Sequence, residues 1–153
     1  MPRYLISACA LVVLLVLASC SQPVGGTPDE PRYADNVIVV DTAMDANTVW
    51  SSDHVYYLSD IVRVQNGATL TIEAGTVVKF ASAAELHIES TAHIQAAGTA
   101  ASPVIFTSPR DSDAGGDSVL DDGAAGPAAG DWLGIIVDDG SSGNAFRHCV
   151  FRF

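Results

Sequence analysis

The residues of this chain best suited to chemistry are aspartates in a stretch rich in glycine and alanine, residues 107–131. The candidates are Asp111, Asp113, Asp117, Asp121 and Asp122. Closely spaced carboxylates on a flexible backbone can supply the six to eight oxygen ligands that Ca²⁺ takes. The bidentate glutamate of an EF-hand loop is missing. Two interpretations stay open, a calcium site and a solvated acidic loop, and no other cofactor is expected.

A catalytic carboxylate pair is not predicted. Asp138 and Asp139 are adjacent, and neighbours on a strand point to opposite faces, so they cannot share a groove in the way that glycosidase carboxylates do. A turn explains them better. A lyase would need a basic residue, but Lys79, Arg110 and Arg147 lie in no recognisable motif. We therefore expect no catalytic residue in this chain.

The histidines suggest little chemistry. His87 and His93 are both expected to face outward, where they are a metal pair around a corner or simple surface residues. Cys149, beside His148, is expected to be a small core residue. Nucleophile elbows, phosphate loops and dinucleotide fingerprints are absent from the sequence.

Charge excludes one class of partner. Acidic residues outnumber basic residues by 18 to 7, and the basic residues do not cluster. A nucleic-acid-binding protein needs a basic patch, so nucleic acid is not an expected partner. The acidic surface favours solubility, with divalent-cation binding as the alternative.

The N-terminus resembles that of a bacterial lipoprotein. An apolar run from Leu5 to Leu17 is too short to span a bilayer of about 30 Å as a helix, and it is typical of a signal peptide over residues 1–19. The run ends in a sequence similar to a lipobox, formed by Leu17, Ala18, Ser19 and Cys20. Cys20 would then carry diacylglycerol and anchor the chain in a membrane. An ordinary secretory signal is the alternative.

Localisation and disulfide content follow from the same motif. Ser21 after the cysteine implies, by the resemblance to Gram-negative lipoproteins, transport to the outer membrane. The expected location is the bacterial cell envelope, at the outer membrane or cell surface. Cys9 leaves with the signal and Cys20 is lipidated, so Cys149 has no disulfide partner within the chain.

Composition divides the mature chain into three parts. Residues 20–36 are rich in proline and glycine and are expected to be a flexible tether. Residues 37–60, which contain Trp50, are expected to cap the N-terminal end of a repeat domain. Residues 61–153 form the repeats, with residues 107–131 as an acidic loop on one face.

The repeats predict an all-β solenoid. Val62 aligns with Leu86, Ile72 with Ile94 and Phe80 with Phe106, at offsets of 22 to 26 residues. Short apolar strands between glycine turns at this period indicate a parallel β-solenoid, here of about two and a half coils. Side-chain alternation places one set inward: Val62, Val64, Leu70, Ile72, Val78, Phe80, Leu86, Ile88, Ile94, Val104 and Phe106.

Other positions in the repeats are assigned to the surface and the corners. The residues expected to point outward are Arg63, Thr71, Lys79, His87, His93 and Gln95. Positive φ is expected at Gly67, Gly75 and Gly98. The third coil is unfinished at Phe153, so we expect either further β-helix coils beyond that residue or an edge-to-edge partner.

The motifs also resemble a known family. VYYLSDIVRVQNGATLTIEAGTVVKF, VIFTS, GGD, PAAGDWLGI and FRHCVF resemble bacterial cell-surface proteins with right-handed parallel β-helix repeats, similar in fold to the pectate-lyase superfamily. Proline is commoner in the family at the place of Ala74, and glycine at the place of Leu133. Residues 118–123 replace an Asn- and Asp-rich run, which weighs against a calcium role.

Two main functions follow as expectations. The first is a lipid-anchored scaffold for binding or adhesion, to glycans or a cell-surface protein, with Tyr56 as the best outward aromatic for a sugar ring. The alternative is a polysaccharide lyase or glycoside hydrolase whose active groove lies beyond residue 153. A spacer that lifts another domain from the membrane is a third possibility.

Overall fold

The computed structural model describes residues 31–120 and 125–153, and all regular secondary structure in these ranges is β. The strands are β1 (Val37–Val40), β2 (Thr48–Trp50), β3 (Val55–Leu58), β4 (Ile61–Val64), β5 (Thr69–Glu73), β6 (Val77–Phe80), β7 (Glu85–Ile88), β8 (His93–Ala97), β9 (Val104–Thr107), β10 (Gly134–Val137), β11 (Ala145–Arg147) and β12 (Cys149–Phe151). Within these ranges no helix is long and apolar enough to cross a membrane.

The strands form three parallel sheets. Sheet 1 has the order β1-β3-β6-β9-β12, sheet 2 the order β4-β7-β10, and sheet 3 the order β2-β5-β8-β11. Successive strands pass from sheet 1 to sheet 2 to sheet 3, so three strands make one turn and the twelve make about four turns. The chain is therefore a right-handed parallel β-helix, the hand that parallel crossovers almost always take.

The N-terminal region lies in the same sheets. Residues 37–60, expected to form a cap, supply β1, β2 and β3, and Met44 bridges to Val64 of β4 where sheet 2 begins. The sequence predicted two and a half coils because it placed the first coil at Ile61, whereas the structure begins one turn earlier, at β1. Residues 32–34 of the expected tether also make contacts, because Leu120 N donates to Arg32 O at 2.8 Å.

The interior consists of like positions stacked in register. Val62 pairs with Leu86 as the repeat alignment predicted, but two other predicted pairs are wrong by two residues: Ile94 pairs with Leu70 and not with Ile72, and Phe106 pairs with Val78 and not with Phe80. A shift of two residues keeps each side chain on the same face of the strand, so the inward assignment is unaffected. All eleven residues predicted to point inward are completely buried, which confirms the alternation. Because each turn covers the apolar edge of the turn before it, burial accumulates along the helix axis.

Aromatic rings join the last turn to the turns before it. Trp132 stacks on Phe80 with ring centroids 4.3 Å apart, and Phe151 stacks on Phe106 at 4.9 Å. The Trp132 indole also donates from Nε1 to the Arg152 carbonyl oxygen at 2.9 Å. Stacked aromatic rings bury a large apolar surface, so these pairs stabilise the attachment of the last turn.

The placement of Tyr56 as an outward, sugar-stacking residue is wrong. Its side chain is only 5% exposed and stacks on Trp50 with ring centroids 4.7 Å apart. Its hydroxyl accepts a hydrogen bond from Ser51 N at 3.0 Å. In β3 the register sets Tyr56 beside Val78, which points inward, and therefore sends the neighbouring Tyr57 outward.

One of the three turn glycines has a different role from the one predicted. Gly67 and Gly75 have φ of 76° and 84°, as expected, but Gly98 is not among the positive-φ residues. A Cβ added to Gly98 would lie 2.4 Å from His148 O and 2.7 Å from Val104 N. Glycine is required there because two backbone segments approach it too closely for a side chain.

Replacing Ile94 by aspartate should prevent folding. Ile94 is completely buried between Leu70 and the interior of the next turn, so the substitution would place an unpaired carboxylate in the core, at a cost comparable to the whole stability of a domain. We expect no cooperative thermal transition by circular dichroism. Thr71→Asp, on the outer face of the neighbouring strand, is the control and should melt cooperatively. A cooperative transition for Ile94→Asp would contradict the inward assignment.

Candidate functional site

Part of the acidic loop covers the outer surface of sheet 1. Ala114 packs on Val55 and Val77 in a small buried cluster separate from the main core. A Cβ at Gly115 would come within 2.8 Å of Val55 Cγ2, so the loop can lie this close only with small residues. We call the surface beneath residues 108–120 the loop-covered face.

A buried lysine fastens this loop. Lys79 points away from the helix interior, as predicted, but the loop covers it and its exposure is 0%. Its ammonium donates to the carbonyl oxygens of Asp111 at 3.0 Å and Gly116 at 2.6 Å. Burial lowers the pKa of Lys79, and the carboxylates of Asp111 and Asp117 partly oppose that shift.

Asp111, the first predicted calcium ligand, is a second attachment point. Its side chain is 3% exposed, and Oδ2 accepts hydrogen bonds from Thr107 Oγ1 at 2.7 Å and Arg152 Nη1 at 3.2 Å. The loop is thereby tied to β9 and to the residue that follows β12. A carboxylate with these two donors is already compensated without a metal.

The other predicted calcium ligands differ from Asp111 in burial or lie outside the described residues. Asp113 and Asp117 are exposed, while Asp121 and Asp122 lie outside the described residues. In the described part of the chain, no three His, Cys, Asp or Glu residues are placed to hold a metal ion. Calcium binding by the loop stays a prediction.

Two small clefts meet at Arg110 on the loop. A cleft of about 130 Å³ is lined by Tyr57, Pro109, Arg110 and Val119. The second, of about 70 Å³, shares Pro109 and Arg110 with the first and is also lined by Ser82, Ser108 and Asp131. Nearly half of the Arg110 side chain is exposed. The arrangement brings a cation, hydroxyl groups and apolar walls to one place.

Asp131 holds the residues of the smaller cleft in place through hydrogen bonds and an ion pair. Its Oδ2 accepts hydrogen bonds from Ser108 Oγ at 2.7 Å and from the backbone N of Ala128 at 2.9 Å, and Oδ1 lies 3.5 Å from Arg110 Nη1. The hydrogen bond from Ser108 and then that from Ala128 lower the pKa of Asp131, desolvation partly opposes them, and the charge of Arg110 adds a smaller lowering. Asp131 therefore stays ionised and orients Arg110.

A polar cluster crosses the outer surface of sheet 2. His87 Nε2 is 2.8 Å from Asp138 Oδ1, and His87 Nδ1 is 2.9 Å from Arg63 Nη1 and 3.4 Å from Glu85 Oε1. The expected turn at Asp138 and Asp139 is confirmed, but sequence reasoning missed the bond from His87 to Asp138.

The remaining candidates are dispersed. His93 contacts the carbonyl oxygen of Ser142, whereas His87 contacts Asp138. Cys149 is half-buried and packs against the main core, and burial raises the pKa of its thiol. Arg147 is exposed. The lipobox residues Leu17, Ala18, Ser19 and Cys20, with the signal peptide and most of the tether, lie outside the described residues.

Comparison with known proteins gives one finding. A family model described as a pectate-lyase-like beta helix domain matches residues 42–145, about two thirds of the chain. No curated protein matches the chain. No solved structure matches it either.

Lys79→Met should loosen the loop without unfolding the helix. Methionine keeps most of the apolar stem but leaves the carbonyls of Asp111 and Gly116 without their donor, and buried unsatisfied groups cost about 1–3 kcal/mol each. We expect faster proteolytic cleavage within residues 108–131 and little change in the circular dichroism of the β-helix. Cleavage at the wild-type rate would show that the loop does not depend on Lys79.

The contribution of Lys79 to the stability of the fold should depend on pH, and the direction follows from its pKa. Because the pKa of Lys79 is lowered in the folded state, the unfolded chain binds more protons between that pKa and the ordinary value of about 10.4, and stability rises with pH there. The unfolding free energy of the wild type minus that of Lys79→Met should therefore increase from about pH 8 to about pH 10. Urea unfolding at both values measures the difference, and a decrease would contradict the lowered pKa.

Proposed function

Because this chain belongs to the family of pectate-lyase-like beta helix domains, we propose that it is a rigid, lipid-anchored scaffold outside the cytoplasm that binds a glycan. The observation that carries the proposal is the pair of clefts at Arg110 on the acidic loop. They lie on the long connection between β9 and β10, and solenoids commonly carry their binding residues on such loops.

The composition of the clefts supports a sugar ligand. Arg110 offers exposed donors, while Ser108 and Asp131 hold polar atoms beside it. Tyr57, Pro109 and Val119 supply the apolar wall of the larger cleft. A pyranose ring presents both hydroxyl groups and apolar C–H faces, so it requires this mixture of contacts.

The size of the clefts limits the ligand. Volumes of about 130 and 70 Å³ are well below the roughly 300–1,000 Å³ of pockets that enclose drug-sized molecules. Each cleft therefore suits a single sugar unit or part of one. A chain of sugars would occupy both clefts and contact Arg110 in each of them.

The rigidity of the loop favours binding. Lys79 and Asp111 hold residues 108–120 against sheet 1 before any ligand arrives. A ligand then pays little conformational entropy to order its site, so weak contacts suffice for measurable affinity. This mode of binding requires no catalytic pair.

Arg110→Gln should weaken glycan binding. Hydrogen bonds to a charged group contribute about 1.5–3 kcal/mol, so we expect a loss of roughly 10- to 100-fold in affinity. Screening on neutral and acidic polysaccharides identifies the ligand, and calorimetry of the best ligand compares the variants. Arg147→Gln, an exposed arginine on sheet 3, is the matched control and should bind like the wild type. If Arg110→Gln binds the glycan as tightly as the wild type, the clefts are not the binding site.

Cys20→Ser should release the protein from the membrane. Without a thiol the diacylglycerol cannot be attached, and each lost methylene contact removes about 0.8 kcal/mol of membrane affinity. In a bacterial host we expect wild type in the detergent phase of a Triton X-114 partition and the variant in the aqueous phase. Cys149→Ser is the control and should partition like wild type. A wild-type protein in the aqueous phase would favour an ordinary secretory signal.

The likeness of the family to pectate lyases favours a second candidate, polysaccharide cleavage by a groove beyond residue 153. Shortened sugar products in the binding assay would support it, and binding without products supports the scaffold. Repeating the assay with a chelator tests whether cleavage depends on calcium.

The last turn suggests where a protein partner would attach. β10, β11 and β12 are the terminal strands of the three sheets. Val137, Phe146 and Phe151 are 38–52% exposed there, although each lies over a residue of the interior. Open edges with exposed apolar residues accept further strands, so we propose that additional coils or an edge-to-edge partner covers this end.

A further inference from the structure

We propose that residues 138–144 form a turn held by a proton-dependent histidine clamp, in which protonation of His87 exchanges Arg63 for Glu85 at Nδ1. The clamp consists of His87 and His93, which contact the two ends of this turn. It lies on sheets 2 and 3 and does not involve the clefts at Arg110.

The hydrogen on His87 can be placed from its partners. Nε2 lies 2.8 Å from Asp138 Oδ1, and a carboxylate oxygen accepts, so Nε2 carries a hydrogen. Nδ1 lies 2.9 Å from Arg63 Nη1, and a guanidinium only donates, so Nδ1 is the acceptor. His87 is therefore the neutral Nε2–H tautomer in this arrangement.

Glu85 marks the alternative state. Its Oε1 lies 3.4 Å from the same Nδ1 atom, and a carboxylate can bond there only when that nitrogen carries a hydrogen. Arg63 and Glu85 thus compete for Nδ1 of His87: Arg63 binds it only without a hydrogen, and Glu85 only with one. The protonation state of His87 decides which of them is bound.

Protonation rearranges the charges around the ring. A proton added to Nδ1 removes the acceptor of Arg63 and turns that contact into a repulsion between two cations. Glu89 Oε1, 3.9 Å from Arg63 Nη1, can take the released guanidinium. The charged groups that face the ring are Arg63 from β4, Glu85 from β7 and Asp138 after β10. The bond to Asp138 persists and becomes charge-assisted.

Other contacts attach the same turn to the corner beneath it, so a change in the His87–Asp138 bond affects the whole turn. His93 Nδ1 donates to the carbonyl oxygen of Ser142, and Ser141 Oγ donates to Ala92 O at 2.6 Å. A Cβ at Gly140 would lie 2.8 Å from Ser90 Cβ, so the turn rests directly on the corner beneath it. A stronger bond at Asp138 therefore tightens the attachment of the last turn to the turn before it.

Amide hydrogen exchange of the full chain tests the clamp. The backbone N of Asp138 bonds to Ile88 O at 2.9 Å, and that of Ser141 to Asp138 O at 2.9 Å. After correction for intrinsic rates, we expect protection of both amides to rise about five- to tenfold from about pH 8 to about pH 5, as a neutral hydrogen bond becomes charge-assisted. Unchanged protection would overturn the proposal.

Two variants give opposite shifts that a structural defect would not produce. Glu85→Gln removes the carboxylate that favours Nδ1–H, so the rise in protection should require a lower pH. Arg63→Met removes the cation that opposes it, so the rise should occur at a higher pH. Shifts of both variants in the same direction would refute the exchange at Nδ1.

His87→Gln and nitrogen chemical shifts complete the test. His87→Gln should abolish the pH dependence at Asp138, while His54→Gln, at an exposed histidine distant in sequence, should retain it. In the wild type near pH 8, ¹⁵N shifts should report hydrogen on Nε2 of His87 alone. Hydrogen on Nδ1 under these conditions, or a His87→Gln variant that keeps the pH dependence, would overturn the clamp.

Discussion

The structure depends on the parallel register between successive turns. A residue such as Ile72 is buried only because Trp50 lies beneath it and Ala96 above it. No turn has a core of its own, so a shift of one residue in any strand would send its apolar side chains to the surface. Polar ladders on the outside and the acidic loop are positioned by this same register, since each outward residue alternates with a buried one.

The loop-covered face shows how an irregular segment is fixed to a regular one. Residues 108–120 contribute little apolar area, with Ala114 as their main buried contact. Hydrogen bonds compensate for this small apolar contact. Lys79 donates to two backbone carbonyls of the loop, and Asp111 accepts from Thr107 and Arg152. A buried cation is costly unless it is hydrogen-bonded, and the loop is the only described segment that supplies its partners. The lysine and the loop therefore stabilise one another.

Sequence reasoning found the strands more readily than the site. Apolar residues at period two, such as Leu70 and Ile72, identify a strand by themselves, and repeats identify the fold. Tyr56 was misplaced because VYYL puts apolar residues on both faces, and only pairing with Val78 sets its direction. The burial of Lys79 depends on the path of a loop without periodicity. The contact of His87 with Asp138 joins residues 51 apart and depends on the length of that same loop.

The lysine beneath the loop has an evolutionary consequence. Lys79 binds the carbonyl oxygens of Asp111 and Gly116, groups that every amino acid possesses. The position of the segment between them is thus largely independent of the side chains at Ser112 and Asp113, which are exposed. Mutations at these two positions can alter the surface of the loop while its backbone stays in place. The fold thus allows the exposed surface of the loop to vary in evolution while its backbone is conserved.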